Sequence, residues 1–435
     1  MAAILSGDRL RFLLGRFKDR LWVKPLVVCL LSIVAAFIAK LVDGTTLAQH
    51  VPEIAAESVE TLLSIMAGSM LVIATFSVAS MVSAYASAAS TATPRSFTLV
   101  VGDDASQNAL STFVGAFIFS VVALVAVKNN YFEAAGLFIL FVLTVCVFGM
   151  VIFTFVRWVD RIARLGRMGS TIEKVEKAAT AALKRRRNAP TLRGVKLTSE
   201  PHGRTVVATS VGYVQHIDIA AIQAWAEEND VRVIVAALPG TFAAPGRALA
   251  YISGLSREQG LEQKQEDFDD TRVVRSFHIG PDRLFDDDPR FGLVVLSEIA
   301  GRALSPAVND PGTAIGVIGT LLRLLVLWGE PAVEQDEQAP SYDRVEVPEI
   351  SVRDMFDDAF TAIARDGAGM VEVAVRLQKA LHALALVGDP ALRAAAEYHG
   401  RLALKRAKAA LAMEEDYTAV RDVAMFSETG SQRNY

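Results

Sequence analysis

The chain has 435 residues, 52% of them hydrophobic and 21% charged, with a mean hydropathy of +0.34. That balance excludes a disordered chain, and a net charge of −4 provides no basic field to hold a nucleic-acid backbone. Two cysteines, Cys29 and Cys146, both lie inside apolar runs, which excludes a disulfide framework, a zinc ribbon and a CxxC redox site.

Apolar residues concentrate in 25–156, and a helix needs about 20 of them to cross a bilayer core. Four segments meet that length: 23–42, 62–85, 109–127 and 134–156. The last two are joined by Lys128-Asn129-Asn130-Tyr131-Phe132-Glu133, so they form an antiparallel hairpin, and Leu140 is expected on a lipid-facing surface. The leading segment 1–22 carries too long a charged stretch for a cleavable signal peptide and lacks an A-x-A-like site.

The flanking charges orient the spans. Arg9, Arg11, Arg16, Lys18, Arg20, Lys24, Arg95, Arg157, Arg161, Arg164 and Arg167 fall on one side, against Lys40 and Lys128 on the other. The positive-inside rule then places both termini in the cytoplasm, with the lipid bilayer as a partner.

Residues 157–190 read as a connector helix, with apolar positions at spacings of three and four and a basic end at Lys184-Arg185-Arg186-Arg187. That end suits either solvent or anionic headgroups. Residues 191–280 read as a small mixed α/β domain. Strand-like runs are 203–215, 231–238, 247–253 and 271–279, and Asp218 is the N-cap of a helix burying Ile219, Ile222 and Trp225. The turn at 239–246, Pro-Gly-Thr-Phe-Ala-Ala-Pro-Gly, makes a stiff reversal between two strands.

Residues 281–435 read as mostly helical. Asp288-Pro289 and Asp310-Pro311 each set an N-cap acid ahead of proline at the first helical position. The helix after Asp310 is apolar, but it is short and holds Arg323, so it is expected in a soluble core rather than as a fifth span. Residues 329–350 read as a polar loop, followed by helices over 351–386, interrupted near Gly367 and Gly369, and over 391–426. The fold class is thus an α-helical membrane domain of four spans (23–156) plus a cytoplasmic α+β region with a helical C-terminal part.

Several strings taken together carry a resemblance: Thr-Pro-Arg at 93–95, GYVQHID at 212–218, PGTFAAPG at 239–246, IGPDR at 279–283 and DPRFGLVVLSEIAGRALSPAVNDPGTA at 288–314. The set resembles a bacterial family of predicted membrane proteins, domain of unknown function 2254. The resemblance runs from the first span through the helical region and implies an integral membrane protein with a cytoplasmic C-terminal half. It implies no biochemical activity. Thr93, Leu284, Asp287 and Ala307 depart from the family's usual Ser, Thr, Gln and Gly.

Two places can carry chemistry. On the second span, a 100° advance per residue gathers Ser69, Ser80, Ser83, Ser87 and Ser90 within an arc of roughly 80°, with Ile65, Val72 and Phe76 on the same arc. Such a face can line a pore for a small ion, and the same small residues also serve close helix packing. In the soluble half, Arg283, Asp286, Asp287, Asp288, Glu298, Asn309 and Asp310 supply ligands of the kind that hold a hard cation, or else caps and loop hydrogen bonds. His216 and His278 alternate with apolar neighbours and can face each other across a sheet. No catalytic set and no cofactor site is assigned, since neither GxSxG, GxGxxG after a strand nor GxxxxGK[ST] occurs. The expected protein is a homo-oligomeric channel or transporter, because four spans per chain can hardly enclose a path alone. The alternative is a membrane-anchored enzyme or sensor using the acidic loop.

Overall fold

The computed structural model of the chain describes residues 23–41, 43, 52–91, 93–101, 104–164, 168–254, 269–330 and 340–424. The expected N-terminal segment 1–22 lies outside the described residues. The chain divides into two compact units, one ending at Thr171 and the other beginning at Ile172.

The first unit holds α1 (Val23–Leu41), α2 (Ala56–Thr91), α3 (Pro94–Val101), α4 (Asp104–Lys128) and α5 (Ala134–Arg164). Helix α4 is its centre and packs on α1, α2 and α5. Small residues make this possible. Ala109, Ala116, Ser120 and Ala123 are buried along α4, and a Cβ at Gly115 would overlap Val28 of α1. Leu140 is fully buried in a cluster with Phe119, Ala123 and Val127, which corrects its lipid-facing placement. Apolarity alone does not distinguish a lipid from a protein neighbour.

The corner after α1 is tied to the α4–α5 connection. The Asp43 carboxylate accepts the backbone N–H groups of Glu133 at 2.9 Å and Gly136 at 2.6 Å, and Lys40 pairs with it at 3.3 Å. Asp43 thereby caps α5 from ninety residues away, satisfying donors that a helix start leaves open.

The second unit contains most of α6 (Met168–Asn188) and a five-stranded sheet in the order β1-β8-β4-β6-β2. Its strands are β1 (Gly194–Lys196), β2 (Arg204–Val207), β4 (Arg232–Val235), β6 (Ala248–Ser253) and β8 (Tyr342–Val347). A three-stranded antiparallel sheet, β5-β3-β7, is built from β3 (Gly212–Ile217), β5 (Phe242–Ala243) and β7 (Phe277–Gly280). Helix α7 (Ile219–Glu228) follows β3, with Asp218 accepting the Ala221 N–H at 3.1 Å and Ile219, Ile222 and Trp225 buried.

Several expectations are corrected here. The run 203–215 is two strands in different sheets, β2 and β3. The run 271–279 begins as α8 (Thr271–Ser276), started by the Asp269 carboxylate on the Thr271 N–H, and only its end is strand. Strand β8 lies inside the stretch read as a polar loop. It runs parallel between β1 and β4, with Val345 and Val347 buried beneath charged neighbours. The turn at 239–246 does join the antiparallel β4 and β6, but it also lends β5 to the other sheet.

The remaining helices are α9 (Phe291–Ala303), α10 (Pro311–Gly329), α11 (Val352–Asp366), α12 (Val371–Ala385), α13 (Pro390–Ala410) and α14 (Glu414–Val423). The break at 367–370 was expected, whereas the one at 411–413 was not. It turns α14 back so that Val420 is buried with Ala374, Leu404 and Ala407. Of the expected connector 157–190, α5 covers residues up to Arg164 and α6 those from Met168 to Asn188, and 165–167 lie outside the described residues. Among the described residues, five helices are long and apolar enough to cross a membrane: α1, α2, α4, α5 and α10.

Candidate functional site

On α2, Val59, Leu63, Met66, Met70, Ala74, Ser77 and Met81 form the buried stripe. The serine arc is turned away from it. Ile65, Val72 and Phe76 are 59%, 68% and 61% exposed, Ser69 and Ser83 are exposed, and Ser80 is half-buried. The side chains of Ser87 and Ser90 lie outside the described residues. Phe76 touches the Trp158 ring edge-on at 6.1 Å, the one arc member with a named aromatic neighbour among the described residues.

In the second unit the acidic loop closes around Asp288, which is 2% exposed. Arg283 donates Nε and Nη2 to its carboxylate at 2.6 and 3.0 Å, and the backbone N–H groups of Arg290 and Phe291 reach Oδ1 at 3.1 and 3.2 Å. Burial holds the Asp288 carboxyl above its ordinary range, opposed by Arg283 and by the Arg290 amide and guanidinium. The carboxylate does cap α9, but from outside: the helix begins at Phe291, so Pro289 is not in its first turn as expected. Gly240, with φ +93°, brings the 239–246 turn onto the same carboxylate.

Asp287 lies alongside. His216 Nδ1 is 2.7 Å from its Oδ2, and Arg185 Nη1 is 3.6 Å from its Oδ1. His216 and His278 pair in register between β3 and β7, with rings stacked at 5.8 Å and 25°, as their alternation suggested. Gln215, the preceding residue, donates to the Asp282 carbonyl at 2.7 Å.

The basic end of α6 closes the site. Arg185 donates to the Asp286 carbonyl. Arg186 is 4% exposed, and its burial pulls the guanidinium down to about 10, against Asp287 and Asp288, which hold it up. Arg187 donates to the Leu327 carbonyl at 2.5 Å and to Glu330 at 3.0 Å. Arg186 is thus buried and Arg187 half-buried against the protein, which corrects the solvated reading for these two, whereas Lys184 and Arg185 are exposed. Cations at a helix C-terminus also complement its dipole.

Asn309 and Asp310 lie elsewhere, beyond the far end of α9, whose 13 residues span about 20 Å. Asn309 takes φ +50°, which asparagine tolerates, and Asp310 caps α10 by accepting the Thr313 N–H at 3.0 Å and its hydroxyl at 2.6 Å. That hydroxyl holds the Asp310 carboxyl below its ordinary range. The structure therefore gathers Arg283, Asp287 and Asp288 and leaves Asn309 and Asp310 apart. Among the described residues no group of three or more His, Cys, Asp or Glu is placed to hold a metal ion. Sequence reasoning missed Arg185, Gly240 and the His216–Asp287 pair. The available signal was that the GYVQHID, PGTFAAPG, IGPDR and DPRFG strings, far apart in the chain, needed a common reason.

Several apolar helices of spanning length, together with an α/β unit, define the build of a membrane protein. The chain belongs to the family described as Predicted membrane protein (DUF2254), whose model matches residues 18–383. Uncharacterized proteins of Mycobacterium tuberculosis and Mycobacterium bovis are each 32% identical to it over 131 residues, 30% of this chain. The chain spans only 25% of the length of those curated relatives. No solved structure matches it.

Proposed function

We propose that the chain forms a homo-oligomeric channel or transport protein of the bacterial inner membrane. Four spans cross, both termini are cytoplasmic, and the second unit assembles or gates the path. The carrying observation is the α2 face on which, among the described residues, Ser69 and Ser83 are exposed and Ser80 is half-buried. Hydroxyls at one end and Ile65, Val72 and Phe76 farther along suit a small ion's path with an apolar constriction. Eleven cations against two support the orientation. Arg323 of α10 forms a bidentate pair with Glu176 at 2.7 and 2.8 Å, and α10 packs on α9 and α12, which favours a core helix over a fifth span. Only 165–167 separate α5 from α6, so the fourth span leads directly into the helix whose tip holds the acidic loop.

Ser83→Phe should alter flux through purified protein in liposomes, whereas Val145→Phe, at an exposed site on α5, should not. Ser83→Cys should react with small polar thiol reagents. An unreactive cysteine, with no flux for any ion tried, ends the transport reading in favour of helix packing.

The second reading, a membrane-anchored sensor or enzyme, draws on the meeting of Gly240 and Arg283 at Asp288 and of His216 at the adjacent Asp287. Asp287→Asn that leaves assembly and flux intact but removes a ligand response would favour it.

A further inference from the structure

Between α1 and α4 the first unit has an open groove of about 370 Å³, lined by Phe37, Val121, Val122, Val125, Ala126, Asn129 and Tyr131. We propose that this groove holds one acyl chain of a phospholipid, with the lipid phosphate at Lys40. The volume falls at the lower end of the roughly 300–1,000 Å³ usual for small-molecule sites.

The groove is apolar along its length and polar at one end. Phe37, Val121 and Val125 form the trough, and Val125 and Phe37 are exposed. At the end stand Asn129, the Tyr131 ring and Lys40, whose ammonium lies 5.4 Å over that ring. This is the sequence of environments met on passing from acyl chain to headgroup, where aromatic rings and lysine stems settle.

Charge favours a phosphate there. The Asp43 carboxylate beside Lys40 is already committed to the amides of Glu133 and Gly136, and its side chain is almost fully buried. The Lys40 side chain stays about one-third exposed, and Lys128 is exposed at the same end of α4. The Phe37–Tyr131 edge-on pair at 6.0 Å joins the apolar trough to its polar end.

The full chain, purified in mild detergent and washed with detergent, would be examined by native mass spectrometry after incubation with phosphatidylglycerol. Wild type should retain about one phospholipid per protomer. Val125→Trp, which fills the trough from an exposed position, should reduce retention at least five-fold with elution and melting unchanged. Should that variant aggregate, Val121→Phe carries the same test. Lys40→Gln should weaken retention of phosphatidylglycerol while leaving binding of an uncharged single-chain detergent unchanged. Equal retention by wild type and the filled-groove variant overturns the proposal, as does no retention by wild type. Disulfide formation between copies carrying Val125→Cys, with Cys29 and Cys146 replaced, would assign the groove to a second copy and overturn it too.

Discussion

Gly240 sits against the Asp288 carboxylate so closely that a Cβ at position 240 would overlap both carboxylate oxygens. Two turns fifty residues apart in sequence thus meet through the one residue type that has no side chain. Gly240 also holds φ +93°, a conformation other L residues rarely adopt. Gly240→Ala should therefore destabilise the protein by at least about 1–3 kcal/mol through strain alone. A thermal melt of the purified chain equal to wild type would refute this account of the contact.

The caps at Asp43 and Asp310 should act on stability. Losing an N-cap costs about 0.5–2 kcal/mol, so Asp310→Ala should lower the melting temperature without disturbing assembly. Asp43→Ala should cost at least as much, since it also releases the tie between two connections. If Asp310→Ala melted like wild type while flux vanished, a ligand role would replace the capping role.

His399 provides a pH test. The ring is buried between α11 and α13, beside Phe356, and burial brings its pKa down to about 4, aided by Arg353 and Arg406 and opposed by Asp357. The unfolded chain takes up the proton near 6.5, before the folded one does. Stability from the neutral ring is thus complete above about pH 6.5 and is lost as pH falls toward 4, by up to about 3 kcal/mol. Melting temperatures from pH 7 to 4.5 should fall more steeply for wild type than for His399→Gln. Parallel curves would show that the ring does not drive the acid loss.

Orientation can be read with thiols. With Cys29 and Cys146 replaced by serine, single cysteines go to the exposed positions Asn130 and Met413. A membrane-impermeant reagent added outside intact spheroplasts should mark the first and miss the second. Labelling of both, or the reverse pattern, would defeat the orientation with cytoplasmic termini.

Local chemistry made much of the chain legible. Runs of apolar residues announced the spans because bilayer thickness imposes a length. Asp218 and Asp310 announced helix starts because a cap needs only its own next three residues. The alternation around His216 and His278 led to the stacked pair for the same reason.

What failed was whatever a partner decided. The run 271–276 has strand-like residues, yet Asp269, Asp270 and the buried Val273 make it helical. Strand β8 has a charged half that reads as loop, and it became a central strand because β1 and β4 supplied partners on both edges. The acidic positions carry one chemistry in sequence and two fates in space. Asp310 meets only its own helix, while Asp288 meets Arg283, and Asp287 meets His216 and Arg185.

The amino-acid sequence by itself determined the family, the membrane character and the local helix starts, since each depends on composition or on neighbours within a few residues. The tertiary structure alone decided that Arg186 is buried beside the acidic loop while Arg187 reaches the end of α10, and that Ala74 and Ser77 of α2 join the small residues of α4 in the bundle while Ser69 and Ser83 stay exposed. Burial is a property of what arrives from elsewhere in the chain, and a side chain's own chemistry does not specify its neighbour.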